Sequence, residues 1–339
     1  MKKTKYDSFL LGKLPEGCEM CVRGKKMVLF VTGLCSRGCE FCPLSKLRKN
    51  IDKIYSNERP VNFMKDLIEE VKVSNATGCS LTGGDPLLKL KRTIKLGKAL
   101  KKKFGRKFHI HIYLSTKLVN KENLKKISEF VDEVRFHPDF EKSVDEEIKK
   151  IRLGKIFWKK KNLGIEIPMF PDKVDKIYEF TKKVYPDISF INLNELEAGE
   201  IFGPLMEKRY KLSSDGYTVK NSVSAGKKLI KLIEKDKLKL NVHLCTANLK
   251  IGFQYKNRLK NYQNQKFSHK TNDGTRVYFS TKIKNKKYFN KKDFFIDKGK
   301  LQIIINPEKI PKIKNRLEIY RIEEYPTYDR EEILKEKIL

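Results

Sequence analysis

Between residues 27 and 250 short apolar runs alternate with amphipathic stretches, and this alternation constrains the fold more than any other feature of the chain. Runs 27–33, 79–83, 108–115, 133–137, 164–170, 188–194 and 240–245 read as strands. Helical patterns lie between them; in 63–74, Met64, Leu67, Ile68 and Val71 recur at helical spacing. The others cover 90–104, 121–130, 145–151, 172–184 and 225–234. Strict alternation predicts parallel strands joined by helical crossovers. A doubly wound sheet and a partial TIM-type barrel both satisfy it, and periodicity does not choose between them. A chain of 339 residues holds one large α/β domain plus a smaller appendage.

In either architecture chemistry collects at the carboxyl ends of the strands. The first strand ends in Gly33 and runs into Cys35-Ser-Arg-Gly-Cys39-Glu-Phe-Cys42. Three thiols on one short loop suit a soft-metal centre, either an iron–sulfur cluster or a structural zinc site. A four-iron cluster held by three cysteines keeps one iron without a protein ligand, and an open metal position is where chemistry occurs. The next strand ends in Thr82-Gly83-Gly84-Asp85-Pro86, whose two glycines permit close approach of backbone to a ligand.

Cys35, Cys39 and Cys42, with aromatic Phe41 before the last, resemble the signature of the radical SAM superfamily. Thr82 to Pro86 resembles that superfamily's second motif, in which glutamate usually stands where this chain has Asp85. The resemblance is closest to the branch related to pyruvate formate-lyase activating enzymes, and within it to uncharacterised archaeal proteins. It implies a partial (β/α) barrel of roughly six to eight units. It also implies a [4Fe-4S] cluster on the three cysteines whose open iron is chelated by S-adenosylmethionine (SAM). Reductive cleavage of SAM would then yield a 5′-deoxyadenosyl radical that abstracts hydrogen from a substrate. An electron donor such as ferredoxin or flavodoxin is the implied partner.

The same resemblance assigns roles at the strand ends. Thr82, Gly83 and Gly84 would hydrogen-bond the SAM amino group; Asp85 leaves the backbone role intact and the side-chain role open. Ser115 and Thr116 would meet the ribose or carboxylate of SAM, or else cap the helix that follows Asn120. Arg135 and His137 lie two apart and share one strand face. Facing the lumen they are candidates for SAM or substrate carboxylate contacts; otherwise they are satisfied core groups. Glu166, Asn192, Asn194 and Glu195 are weaker members of the same set.

Residues 1–26 form a polar lead containing Cys18-Glu-Met-Cys21. Two cysteines remain elsewhere. Cys79 reads as a small buried side chain inside a strand, whereas Cys245 ends the last one. A barrel would return that last strand beside the first, so Cys18, Cys21 and Cys245 are expected to approach one another. They would make a second iron–sulfur cluster, a zinc site or no site, with His243 or a substrate atom as fourth ligand. No run reads as a secretion signal, and none approaches the ~20 apolar residues that span a bilayer. The expected location is cytoplasmic, with thiols reduced and no membrane partner.

A formal charge of +33 predicts a polyanionic partner, or else reflects a lysine-rich proteome. Residues 250–300 hold 15 Lys or Arg against 3 Asp, a net +12, with ten aromatics interleaved. Cations that neutralise phosphates beside rings that stack on bases are the means of gripping nucleic acid. The alternative is a small β domain whose aromatics form its core. Residues 87–107 add ten basic side chains and no acid. Strand patterns follow at 276–283, 294–296, 301–305 and 317–322, with a helical tail over 330–339. The expected organisation is thus a lead (1–26), a barrel (27–250) and a basic β-rich appendage (251–339). The leading expectation is a radical SAM enzyme that modifies RNA, tRNA above all. The alternatives are an activase or maturase of a protein or peptide, and a zinc-stapled RNA-binding protein without catalytic activity.

Overall fold

A computed structural model describes residues 1–139, 143–201, 203–310 and 317–338. Lys2–Lys3 (β1) and Phe9–Leu11 (β2) form a hairpin, followed by Glu16–Val22 (α1), Lys26–Thr32 (β3) and the short pair Tyr55–Ser56 (β4) and Arg59–Pro60 (β5). Helix and strand then alternate: Met64–Val73 (α2), Gly78–Gly83 (β6), Leu90–Phe104 (α3), His109–Ser115 (β7), Lys121–Ser128 (α4) and Glu133–His137 (β8). The alternation continues with Val144–Leu153 (α5), Leu163–Met169 (β9), Val174–Val184 (α6), Phe190–Glu195 (β10), Gly203–Arg209 (α7), Ser222–Lys235 (α8) and Asn241–Cys245 (β11). The sheet order is β1-β2-β11-β10-β9-β8-β7-β6-β3-β4-β5. Its seven central strands are parallel, and its two ends do not pair. This is the expected partial TIM-type barrel. The opening between β11 and β3 is crossed by Leu249–Tyr255 and Lys256–Asn261 (α9), where Leu249 packs on Val22 and Cys245.

Parallel strands with helices on both faces run continuously apolar, whereas these strands alternate. Residues facing the helices are apolar and buried, among them Leu29, Leu81, Ile112, Phe136, Ile165, Leu193 and Leu244. Fully burying each such side chain contributes about 1.5–3 kcal/mol. The other face is polar, and parallel registers stack it in layers. Ser80 lies beside His111 and His111 beside Glu133, Tyr113 lies beside Arg135, and Asn192 lies between Glu166 and His243. A period of two in a parallel sheet therefore marks a polar lumen.

Helix α1 closes the floor of that lumen. The Gly17 N–H donates to Glu133 at 3.2 Å, and a Cβ on Gly17 would stand 2.2 Å from His111 Nδ1. Only glycine lets the helix come this close. Arg135 lies just above, 1% exposed, donating to Glu133 and Glu166 at 2.7 Å each. Tyr113 and Phe190 flank its guanidinium, with ring centres 5.8 and 5.5 Å away. A buried cation survives only when paired in this way.

Three lumen histidines, His109, His111 and His243, are buried and kept neutral. Burial pushes His109 and His243 down to about 3 and His111 well below its usual value, Lys26 adding to the effect at His109 and His111. Unfolded histidine titrates near ~6.5, so below that pH the unfolded chain binds protons that the folded chain refuses. Their contribution is complete above about pH 6.5 and is lost as pH falls towards 3, each histidine costing up to about 1.4 kcal/mol per pH unit. Melting temperature should therefore drop steeply between about pH 6.5 and 5, and His243→Gln should flatten the profile. A melting temperature constant over that interval rejects the account.

The C-terminal region is an antiparallel sheet of Ser268–Lys270 (β12), Arg276–Lys282 (β13), Phe294–Asp297 (β14), Gln302–Ile305 (β15), Tyr320–Glu324 (β16) and Glu332–Lys337 (β17), ordered β14-β15-β13-β16-β17 with β12 on β13. It corrects two expectations. The tail is a strand paired antiparallel to β16, not a helix; Leu339 lies outside the described residues. Ion pairs of Lys337 with Glu318 and of Arg321 with Glu336 favour that pairing over the local helical spacing of Ile333, Leu334 and Ile338. The interleaved aromatics are mostly core or contact residues. Tyr262 and Tyr278 are 2% and 1% exposed, Phe267 and Phe289 fill small apolar clusters, Phe253 packs on Tyr6 and Tyr255 on Tyr325. Of the aromatics at 253, 255, 262, 267, 278, 288 and 289, Tyr288 alone is among the exposed large apolar side chains. No helix among the described residues is long and apolar enough to cross a membrane.

Candidate active site

The cysteine loop hangs from the end of β3 and is fixed by the glycines after β6. Gly84 N–H donates to Thr32 O at 2.7 Å and Asp85 N–H to Leu34 O at 2.9 Å. A Cβ at Gly84 would lie 2.0 Å from Leu34 O and 3.1 Å from Cys35 Cβ, while Gly83 adopts φ +131°. The glycines thus make room for the chain entering the cysteine loop. Asp85 is fully buried and accepts from Leu87 N at 3.0 Å, Ser115 Oγ at 3.0 Å and Ser36 Oγ at 3.5 Å. One short carboxylate ties the turn Pro86–Lys89, the end of β7 and the cysteine loop together. Burial pushes its carboxyl up, opposed by those hydrogen bonds.

Basic side chains brace the same loop. Arg37 donates to His137 O at 2.7 Å and faces Asp139 at 3.5 Å, and Lys117 Nζ donates to Ser36 O at 2.7 Å. On the far side the segment after β10 closes in. A Cβ on Gly199 would stand 2.7 Å from Cys42 O, and Lys46 N–H donates to Glu200 at 3.0 Å.

These anchors leave a cavity of about 600 Å³ at the carboxyl ends of the strands. Cys35, Cys39, Cys42, Phe41, Gly83 and Gly84 line it together with Thr82, Ser115, His137, Glu166, Asn194, Glu195 and Glu197, and Arg37, Lys49 and Lys250 add cations. Seen from one cavity, the residues chosen in sequence divide. Asp85, Thr116 and Arg135 lie off its wall: Asp85 as the tie just described, Thr116 buried and donating to Glu147, Arg135 in the lumen beneath. Ser115 and Thr116 do not cap the following helix; Asn120 does, accepting from Asn123 N at 2.8 Å. His137 Nδ1 donates to Glu166 O at 2.8 Å, which sets its tautomer, and its ring stands 5.7 Å from that of Phe41. Burial and then Arg37 push it down to about 4, so the imidazole is neutral.

Tyr113, Glu197 and Lys250 complete the wall without any sequence signal that marks them. Lys250 pairs with Glu197 at 2.5 Å, Tyr217 donates to Glu197 at 2.7 Å, and Glu195 accepts from Ala247 N at 2.7 Å. Burial pushes the Glu195 carboxyl up. Lys250 lies in the π-helical segment Leu249–Tyr255 that follows β11, where no periodicity singles it out.

The three loop thiols fit a cluster. Cys35, Cys39 and Cys42 lie within electrostatic reach of one another around the cavity rim, and burial pushes the Cys35 and Cys39 thiols up. A single zinc, with Zn–S near ~2.3 Å, needs its sulfurs gathered tightly. Among the described residues no three His, Cys, Asp or Glu side chains gather so. The three thiols line one cavity beside the glycine pair, and closely spaced thiolates of this kind suit an iron–sulfur cluster.

The second group of cysteines stands differently. Cys18 Sγ is held 3.3 Å from Arg135 and 3.5 Å from Asn192, beneath the cavity. Cys21 and Cys245 sense each other's charge, and burial pushes Cys245 up to about 12. Both ring nitrogens of His243 are engaged, Nδ1 with Asn192 at 2.7 Å and Nε2 with Ser8 at 3.2 Å. Cys79 is the buried small side chain that the sequence indicated.

Comparison with known proteins completes the picture. Residues 29–188 match the model of the radical SAM superfamily. A provisionally named glycyl-radical enzyme activating enzyme of Methanocaldococcus jannaschii is 40% identical over 264 residues, covering 76% of this chain and 70% of that one. Among solved structures, the radical S-adenosylmethionine methyltransferase TsrM of Kitasatospora setae superposes on 57% of this chain and 40% of its own length, at 10% identity and a TM-score of 0.39. A second structure of TsrM, with cobalamin and a [4Fe-4S] cluster bound, gives 52%, 37%, 10% and 0.35. Likenesses that low carry no inference. The cysteine loop, the glycine pair beside it and the relative that matches three quarters of the sequence agree, and the chain belongs to the radical SAM superfamily of enzymes.

Proposed function

We propose that this radical SAM enzyme is an activase: it acts on a polypeptide, removing a hydrogen atom from a backbone position of a partner protein. The observation that carries the reading is the 40% identity, across most of both chains, to a protein provisionally named as an activating enzyme of glycyl-radical enzymes. The cavity is consistent with it. Its lining sets Glu166, Glu195 and Glu197 against Arg37, Lys49 and Lys250. The carboxylates offer acceptors to N–H donors such as a peptide backbone provides. RNA loses its support because most of the aromatics meant to stack on bases pack within the protein, Tyr288 and Phe295 being the two among the exposed large apolar side chains.

Cys35, Cys39 and Cys42 would hold the cluster, and Gly83, Gly84, Thr82 and Ser115 would border the SAM beside it. Bound there, the two supply one-electron chemistry able to take hydrogen from an unactivated carbon. The protein's own part is positional. Asp85, Arg37 and Lys117 fix the loop, and neutral His137 offers a wall that neither donates nor takes a proton near neutral pH. Helix α1 keeps bulk water from the floor.

The test is anaerobic incubation of the reconstituted enzyme with SAM, a reductant and a resting glycyl-radical enzyme, followed by electron paramagnetic resonance. A carbon-centred radical on the partner protein is the expected signal. Reductive SAM cleavage without any such radical, together with tight salt-dependent tRNA binding, would overturn the activase reading while sparing the family assignment.

A further inference from the structure

Three large apolar side chains stand open to solvent on segments that border the cavity. Leu47, Tyr217 and Ile251 are 79%, 40% and 61% exposed. Tyr217 donates to Glu197, and Ile251 follows Lys250, which pairs with the same carboxylate. Glu197 and Lys250 both line the cavity, so Tyr217 and Ile251 flank one point on its border. Leu47 comes from the tail of the cysteine loop, between Lys46, whose N–H donates to Glu200, and Lys49, which lines the cavity. Single exposed aliphatic residues are ordinary on a protein surface. Here the fold draws three of them, from distant parts of the sequence, towards one cavity mouth.

The apolar surface continues inward through Pro43, Leu44, Pro168 and Leu196. The charged groups beside it are already engaged. Glu197 holds Lys250 and Tyr217, Glu166 holds Arg135 and Asn194, and Arg37 holds His137 O and Asp139. A segment bringing charged side chains to this mouth would lose their hydration and meet groups already paired. An apolar one gains contact at no such cost. Size points the same way. A cavity of about 600 Å³ that must also seat a cluster and a nucleotide admits only a narrow length of chain. The residues on either side of that length stay at the mouth.

We propose that Leu47, Tyr217 and Ile251 form a docking rim that selects a polypeptide whose side chains flanking the reacting backbone position are aliphatic or aromatic. The inference rests on the activase reading and adds which sequences the enzyme takes. Apolar contact sets the affinity, so binding follows the flanking side chains and is indifferent to salt.

The experiment is fluorescence anisotropy of labelled peptides on the intact reconstituted enzyme with SAM, under anaerobic conditions. Each peptide carries one central glycine, flanked by leucine and valine, by lysines or by glutamates. The apolar peptide should bind at least about tenfold more tightly than either charged one. Its affinity should hold between about 50 and 500 mM salt. The double variant Leu47→Ser with Ile251→Ser should weaken it by about tenfold. The milder pair Leu47→Ala with Ile251→Val should shift it in the same direction and guards against a folding defect. Ile156→Ser with Leu301→Ser, both exposed elsewhere, should leave it within about twofold. Equal affinities for the three peptides overturn the proposal, as do equal affinities of wild type and rim variant or displacement of the peptide by tRNA. With a resting glycyl-radical enzyme as substrate, the rim variant should need about tenfold more of it for half-maximal radical formation. Radical formation at equal half-saturation in both proteins overturns the rim and leaves the activase reading standing. Absence of any radical on that partner, with no peptide bound, would instead remove the activase reading itself.

Discussion

Replacing Cys39 with alanine should leave a folded chain that holds no catalytic cluster and forms no 5′-deoxyadenosine from SAM, whatever reductant is supplied. The loop is anchored by Ser36 to Asp85, by Arg37 to His137 and by Lys117 to Ser36, and none of these contacts uses the Cys39 thiol. Loss of one thiolate therefore removes a metal ligand without releasing the loop. Iron and sulfide assays, the charge-transfer absorbance and chromatography of the nucleoside product read the result. Cys79→Ala is the control, since Cys79 is buried on the helix-facing side of β6 and should affect stability alone. Retained SAM cleavage in the Cys39 variant would end the cluster assignment.

A single methyl group at Gly84 should do nearly as much damage. It would meet the backbone oxygen of Leu34 at 2.0 Å, and backbone cannot rotate away as a side chain can. The loop must shift, at a cost of about 1–3 kcal/mol for overpacking of this kind. In a chain of 339 residues that lowers melting temperature by roughly 1–2 °C per kcal/mol. The larger consequence is that Cys35, 3.1 Å from the new methyl, is pushed out of place. Gly84→Ala should load less than about half the wild-type iron and lose SAM cleavage in proportion. Gly38→Ala, in the same loop, meets nothing within 4 Å and should load normally. If the two variants behave alike, loop placement by the glycine pair is not the controlling feature.

Much of the barrel could be read beforehand because its physics is local. Each strand carries its own alternation, and β8 falls over the predicted 133–137 run. The cysteine loop and the glycine pair were visible for the same reason. What stayed hidden was set by distant partners. Asp85 could be flagged as an unusual residue, but its tie to Ser36 and Ser115 exists only after three strand ends meet. Lys250 and Glu197 complete part of the cavity wall through a pair formed across 53 positions. The sequence 332–337 could have made a helix turn and became a strand because β16 offered a free edge. The basic aromatic segment misled most: composition reports that rings are present, not which way they face.

Helix α1, wedged against Glu133 and Arg135 by the closeness that Gly17 allows, gives the barrel the topology of a stoppered flask. Whatever occupies the deep end must arrive first and depart last. Closed at its floor, the lumen is reached from the carboxyl ends of the strands, where the cysteine loop stands.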